Sequence, residues 1–170
     1  MNRRRFAKWA GLGGLSALSA CGFKLRGSLR FGFESIAVTP GTGSAVAVEL
    51  RRALDGNVRV LETSVTPGVT AAQPQVILDV LTEQREKTVV GVNAAGQVRE
   101  FQLRIRVKFR LRTPEGKELI ADTELLQQRD ISFNESAVLA KEAEEALLYR
   151  NMQTDIVQQL MRRLAAVTLS

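Results

Sequence analysis

The chain has 170 residues, with 24 Lys and Arg against 18 Asp and Glu, one Cys and no His, for a formal net charge of +6. Without His there is no Ser-His-Asp or Cys-His catalytic set, and a lone Cys leaves no ordinary zinc site. The sequence has no G-x-x-x-x-G-K-[ST] or G-x-G-x-x-G phosphate loop, and seven Phe, one Tyr and one Trp are few for stacking bases.

The first 20 residues predict an export signal. Arg3, Arg4, Arg5 and Lys8 form a basic opening, followed by a short run of small and apolar residues. That run is well below the roughly 20 residues needed to span a bilayer, and Gly11, Gly13 and Gly14 oppose a stable core helix. It ends in Leu18-Ser19-Ala20-Cys21, which resembles the lipobox of bacterial lipoproteins. There the peptide before the cysteine is cut and the thiol takes a diacylglycerol. Cys21 is the expected lipidation site, and a thioether to lipid accounts for an unpaired cysteine in an exported protein. A second, N-linked chain makes such anchoring stable. Gly22 replaces the Asp that resembles an inner-membrane retention signal, which points to the outer membrane. Arg3-Arg4-Arg5-Phe6-Ala7-Lys8 resembles a twin-arginine export pattern, and the same residues fit an ordinary Sec signal with a generous basic region; the compartment is the same. Loss of the signal leaves 20 cations against 18 acids, a net +2, too small for general attraction to nucleic acid.

After the signal, 21–34 read as a lipidated tether and 35–170 as a single domain with one core. A strand is expected at Ser35 to Thr39 and a helix capped by Ser44 through Leu54. "DGN" at 55–57 ends that helix, a short strand follows at Val58 to Leu61, and 66–75 form a loop. Three long strands are expected at Val76 to Val92, Val98 to Arg112 and Lys117 to Ile131, joined through "NAAG" (93–96) and "PEG" (114–116). Ser132 with Glu135 fits a capping box opening a final helix to about Val167. Leu139, Ala143, Ala146, Leu147, Ile156, Val157, Leu160 and Leu164 recur on it at helical spacing and predict its core face. These elements predict a two-layer α/β (α+β) sandwich. Its mixed, mainly antiparallel sheet has four to five strands, with two helices packed on one face and the other face open.

"REFQLRIRVKFRLR" (99–112) alternates with period two, Phe101, Leu103, Ile105, Val107, Phe109 and Leu111 on one side and Arg104, Arg106, Lys108, Arg110 and Arg112 on the other. The cations are expected on the open sheet face. Simple hairpin counting from 114–116 sets Lys108 opposite Asp122, Arg106 opposite Glu124 and Arg104 opposite Leu126. Counting from 93–96 sets Arg110 opposite Asp79, Arg106 opposite Glu83 and Arg104 beside Arg85. Much of the ladder is then answered by carboxylates, each exposed cross-strand pair contributing about 0.2–1 kcal/mol. A salt-laced solvated face is one reading of the row. The residue it does not absorb is Arg104, so Arg85, Arg104 and Arg106, with Lys108, are the candidate anion contacts; the planar guanidinium suits phosphate.

"CGFKLRG" after the lipobox, "GQVREFQLRIRVKFRL" and "RDISFNESAVLAKEAEEALLYRNMQTDIVQQLMRRL" together resemble the LptE family of lipopolysaccharide-assembly lipoproteins of Gram-negative outer membranes. The resemblance covers most of the chain after the signal. It implies a two-layer α/β domain and residence as a plug in the lumen of the β-barrel LptD, helping that barrel assemble and assisting lipopolysaccharide delivery to the outer leaflet. It implies lipopolysaccharide as a ligand, adds Lys141 to the candidate contacts, and implies no cofactor beyond the lipid on Cys21. Related loops can carry a basic residue at the 93–96 tip, which is uncharged here; if that loop grips phosphate in relatives, this chain is expected to use Arg99 or the strand cations instead, or to bind more weakly. Two other classes fit the residues: a periplasm-facing lipoprotein that binds and regulates a cell-envelope enzyme or peptidoglycan, and a carboxylate hydrolase, for which no spacing singles out a pair.

Overall fold

A computed structural model describes residues 29–40, 42–62 and 72–169. The expected signal peptide, Cys21 and most of the tether lie outside the described residues. The tether's last part packs on the domain. Phe33 is buried and stacks with Phe31, and Gly32 forms a parallel bridge with Thr168 so close that a Cβ there would collide with the Val167 carbonyl.

Five strands, β1 (Ser35–Thr39), β2 (Arg59–Leu61), β3 (Val76–Val92), β4 (Val98–Arg112) and β5 (Glu118–Ser132), form one sheet in the order β2-β1-β3-β4-β5. β1 pairs in parallel with β2 and β3, and the long β3–β4 and β4–β5 ladders are antiparallel. Helix α1 (Ala45–Leu54) crosses between β1 and β2. Its start is fixed by the expected Ser44, whose Oγ accepts from the Ala47 N–H at 3.0 Å, and its end by Gly56 in the left-handed region at φ 85°. Val46, Ala47, Leu50 and Leu54 form its buried face. The expected two-layer α+β architecture is therefore present, both helices joining one core with the sheet's apolar side.

Helix α2 (Val138–Ala165) corrects the sequence reading in two ways. It starts after a 3₁₀ turn (Glu135–Ala137) capped by Asn134, whose Oδ1 accepts from the Ser136 N–H. Ser132 stays in β5, and the expected capping box does not form. At 28 residues the helix is about 42 Å long. Its core stripe is Met152, Ile156, Val157, Leu160, Met161 and Leu164. In the N-terminal half the expected stripe faces outward: Leu139 is 82% exposed and Leu147 50%, with Ala143 and Ala146 also exposed. Lys141, Glu145, Leu148 and Tyr149 turn toward the sheet instead. The helix outruns the apolar part of the sheet, and polar anchors hold its overhang.

Register departs from simple hairpin counting in both long ladders. Arg110 lies opposite Asp79 as expected, Arg112 lies opposite Glu118, and the Thr113 N–H donates to the Lys117 carbonyl. Irregularities between Phe109 and Arg112 then slide β5 by two residues, so Lys108 faces Glu124, Arg106 faces Leu126 and Arg104 faces Gln128. Two steps keep the β5 side chains from Thr123 to Ser132 on their expected face. In β3 a single bulge at Leu81, between the pairs Val80–Phe109 and Thr82–Lys108, has the opposite effect. Every residue from Thr82 to Val89 changes face, and Arg85 comes opposite Ile105, on the helix side, rather than beside Arg104.

The flipped residues fasten the helices. Glu83 Oε2 accepts from Ser44 Oγ at 2.7 Å and the Val46 N–H at 3.1 Å, a cap on α1 supplied from another strand. Glu83→Ala is expected to lower stability by about 1 kcal/mol, the value of a helix cap, in urea unfolding. In the same assay Leu160→Ala should cost about 2–5 kcal/mol and the outward Leu139→Ala no more than about 0.5 kcal/mol.

Candidate ligand-binding surfaces

The open sheet face carries the cationic row of β4, tied together by two acids. Asp79 Oδ2 receives the Nε of both Arg110 and Arg112 at 2.9 Å, and its Oδ1 receives Thr39 Oγ1 at 2.7 Å. Burial opposes the Asp79 charge, but the hydrogen bonds from Arg112, Thr39 and Arg110 outweigh it and hold the carboxyl below its ordinary 3.8. The same pairing raises the Arg110 guanidinium. Glu124 is shared by Arg106 (Nε to Oε1, 3.4 Å) and Lys108 (Nζ to Oε2, 3.9 Å).

Arg104 stands apart from both. It faces Glu86 on β3 and Gln128 on β5, and its Nε and Nη2 both donate to Gln102 Oε1. No ion pair holds it among the described residues. The Nε of Arg106 is buried without a hydrogen-bond partner. Arg104, Arg106 and Lys108 thus form one half-exposed group in which a single glutamate answers two of three cations, and a phosphate reaching it meets two guanidinium forks.

Arg85 and Lys141 are not part of that group. Arg85 Nη2 is 2.6 Å from Gln153 Oε1 and 3.5 Å from Glu83 Oε1, with its guanidinium 5.8 Å from the Tyr149 ring centre. Lys141 Nζ donates to Ser132 Oγ at 3.0 Å and Glu144 Oε2 at 2.9 Å. Two residues that sequence reasoning missed complete the helix-side setting. Lys87 lies 2.6 Å from Glu145 Oε2 and 4.3 Å above the Phe101 ring, and the Tyr149 hydroxyl donates to the Glu86 carbonyl at 2.8 Å. Burial and the nearby Glu145 raise the Tyr149 phenol, so it stays protonated as that donor. A shallow groove between β3 and α2 is lined by Arg85, Lys87, Glu142, Glu145, Tyr149 and Arg150. Lys87 was hidden because the bulge that turns it inward leaves no mark in a run without apolar alternation.

Because Asp79 is more acidic folded than unfolded, its contribution to stability is complete above its unfolded pKa of 3.8 and is lost as pH falls below that. Asp79→Ala is expected to cost about 1–3 kcal/mol at pH 7, leaving two arginines without their acceptor, and to flatten the acid limb of stability against pH in urea titrations.

The family described as lipopolysaccharide-assembly, LptE, matches residues 32–164. Among solved structures, lipoprotein B from Nitrosomonas europaea superposes with a TM-score of 0.69 at 33% identity, covering 85% of this chain and 91% of that one. The rare lipoprotein B of Shewanella oneidensis (TM-score 0.64, 19% identity, 78% and 95% covered) and a minor lipoprotein of Acinetobacter baumannii (0.61, 18%, 81% and 96%) share the fold. Among curated proteins none matches. The match begins at the Gly32 bridge and ends at Leu164, the last buried residue of α2, taking in the whole sheet with its cationic face; the chain belongs to the LptE family of lipopolysaccharide-assembly proteins.

Proposed function

We propose that this chain is an outer-membrane lipoprotein, anchored through lipid on Cys21, that plugs the β-barrel LptD, helps it assemble and assists lipopolysaccharide transport to the outer leaflet. The observation that carries this reading is the family match over the whole folded domain; the lipoprotein relatives agree with the lipobox at 18–21. The geometry adds an uncovered cationic face. Lipid A phosphates are anions that Arg104, Arg106 and Lys108 can bind while displacing only the Gln102 and Glu124 contacts. Arg85, in the β3–α2 groove, and Lys141, near the start of α2, are two separate helix-side contacts. In this role the protein binds and positions; it performs no bond chemistry.

Capture by a C-terminal tag from gently extracted outer membrane is expected to bring a stoichiometric large β-barrel with lipopolysaccharide retained. Arg104→Glu should weaken lipopolysaccharide retention by about tenfold or more, the loss of a charge-assisted contact, and more so at low salt. Lys141→Glu should act in the same direction. Unchanged retention in both variants would overturn these contacts while leaving the barrel reading intact. A preparation without a barrel, carrying a cell-wall enzyme or peptidoglycan, would overturn the plug reading itself.

A further inference from the structure

We infer that the free edge of β5 is a strand-addition site for a basic extended segment of another protein, which would lengthen the sheet to six strands. The sheet has two edges. β2 has three residues, too few to template a partner, whereas β5 has 15 and contains no Pro, Gly or Lys. Among the described residues β5 pairs with β4 alone.

The orientation of its backbone follows from one bond. The Phe133 N–H donates to the Arg99 carbonyl, continuing the pairing that runs from Phe109–Thr123 to Glu100–Ser132. In an antiparallel ladder that phase turns the odd-numbered amides of β5 toward β4 and the even-numbered ones, Glu124, Leu126, Gln128, Asp130 and Ser132, outward. Arg129 marks the outward acceptor: its Nη1 donates to the Gln128 carbonyl at 3.0 Å, where an incoming strand's N–H would bind, while Nη2 holds Asp155 at 3.2 Å.

Charge selects the occupant. β5 carries Glu118, Asp122, Glu124 and Asp130 against Arg129, a net −3. A second copy would set acid-rich strand against acid-rich strand, which cross-strand pairing penalises. A strand with cations at alternate positions reproduces what β4 already does on the inner edge, where Lys108 faces Glu124. Leu126, 46% exposed between Glu124 and Gln128, gives the incoming strand an apolar contact at its centre. The site lies at the sheet edge, and its test is independent of the barrel and lipopolysaccharide reading.

The probe is a synthetic peptide with the β4 sequence QLRIRVKFRLR, compared with a peptide of the same composition whose cations are contiguous. Hydrogen exchange of the folded chain is followed residue by residue. The alternating peptide is expected to slow the outward amides of Glu124, Leu126, Gln128 and Asp130 by about tenfold or more and to leave the odd positions, already bonded to β4, unchanged. Gln128→Pro removes only an outward donor, so it should weaken binding by about tenfold with an unchanged unfolding midpoint. Asp130→Lys, which leaves the backbone untouched, should weaken it as well and serves if the proline variant does not fold. Absence of protection at the even positions, equal protection by the contiguous-charge peptide, or binding indifferent to both substitutions would overturn the proposal. Protection that grows with protein concentration in the chain alone would make the occupant a second copy and overturn the assignment of a basic partner.

Discussion

One extra residue in β3 organises the way this domain is fastened. The bulge at Leu81 turns Glu83, Arg85 and Lys87 from the open face to the helix face. Glu83 then caps α1, Arg85 reaches Gln153 and the Tyr149 ring, and Lys87 pairs with Glu145. Apolar packing holds the helices where the sheet is greasy, through Leu50, Leu54, Leu160 and Leu164 against Leu103, Ile105, Val107 and Phe109. Alongside that β4 stripe, where β3 reads Glu83 to Thr88 without an apolar residue, ionic and hydrogen-bonded anchors take over. Without the bulge these groups would face solvent on the open side, and α2 would lose its Arg85 and Lys87 anchors.

The same bulge divides the candidate ligand contacts into two settings. On the open face, acids are shared between neighbouring cations, Asp79 by Arg110 and Arg112 and Glu124 by Arg106 and Lys108, while Arg104 takes only an amide oxygen. Sharing keeps the row from repelling itself. Asp79 with its two arginines is the buried, hydrogen-bonded end of the row and acts as a structural clasp; the half-exposed Arg104 end is the part open to an anion. On the helix side, Arg85 and Lys141 are engaged in contacts that hold α2, so ligand binding there would compete with the attachment of the helix.

The single-layer coverage of the sheet has a second consequence. Two helices occupy one face, the open face carries charge, and the longest strand edge is left bare. In most domains such an edge is shortened, capped by Pro or guarded by Lys. Here four acids take that role, which discourages self-association and leaves the edge selective for a cationic strand.

The class of the domain, its element order, the ends of β1, α1, β3 and β4, and the split of β4 into an apolar and a cationic face were all legible in the residues. Those follow from local rules: strict alternation from Phe101 to Arg112, Ser44 as a cap, and glycine at positions 96 and 116, both with positive φ. Register and the true core face of α2 were decided only by tertiary structure. A bulge shifts pairing by one residue without changing composition, and from Thr82 to Thr88 no apolar periodicity exists to betray it. Leu139, Ala143 and Leu147 lie at helical spacing whatever covers them, but the sheet beneath them has become polar, so nothing there can bury them. Hydrophobic periodicity specifies that a helix has a greasy stripe; only the opposing surface decides whether that stripe lies inside.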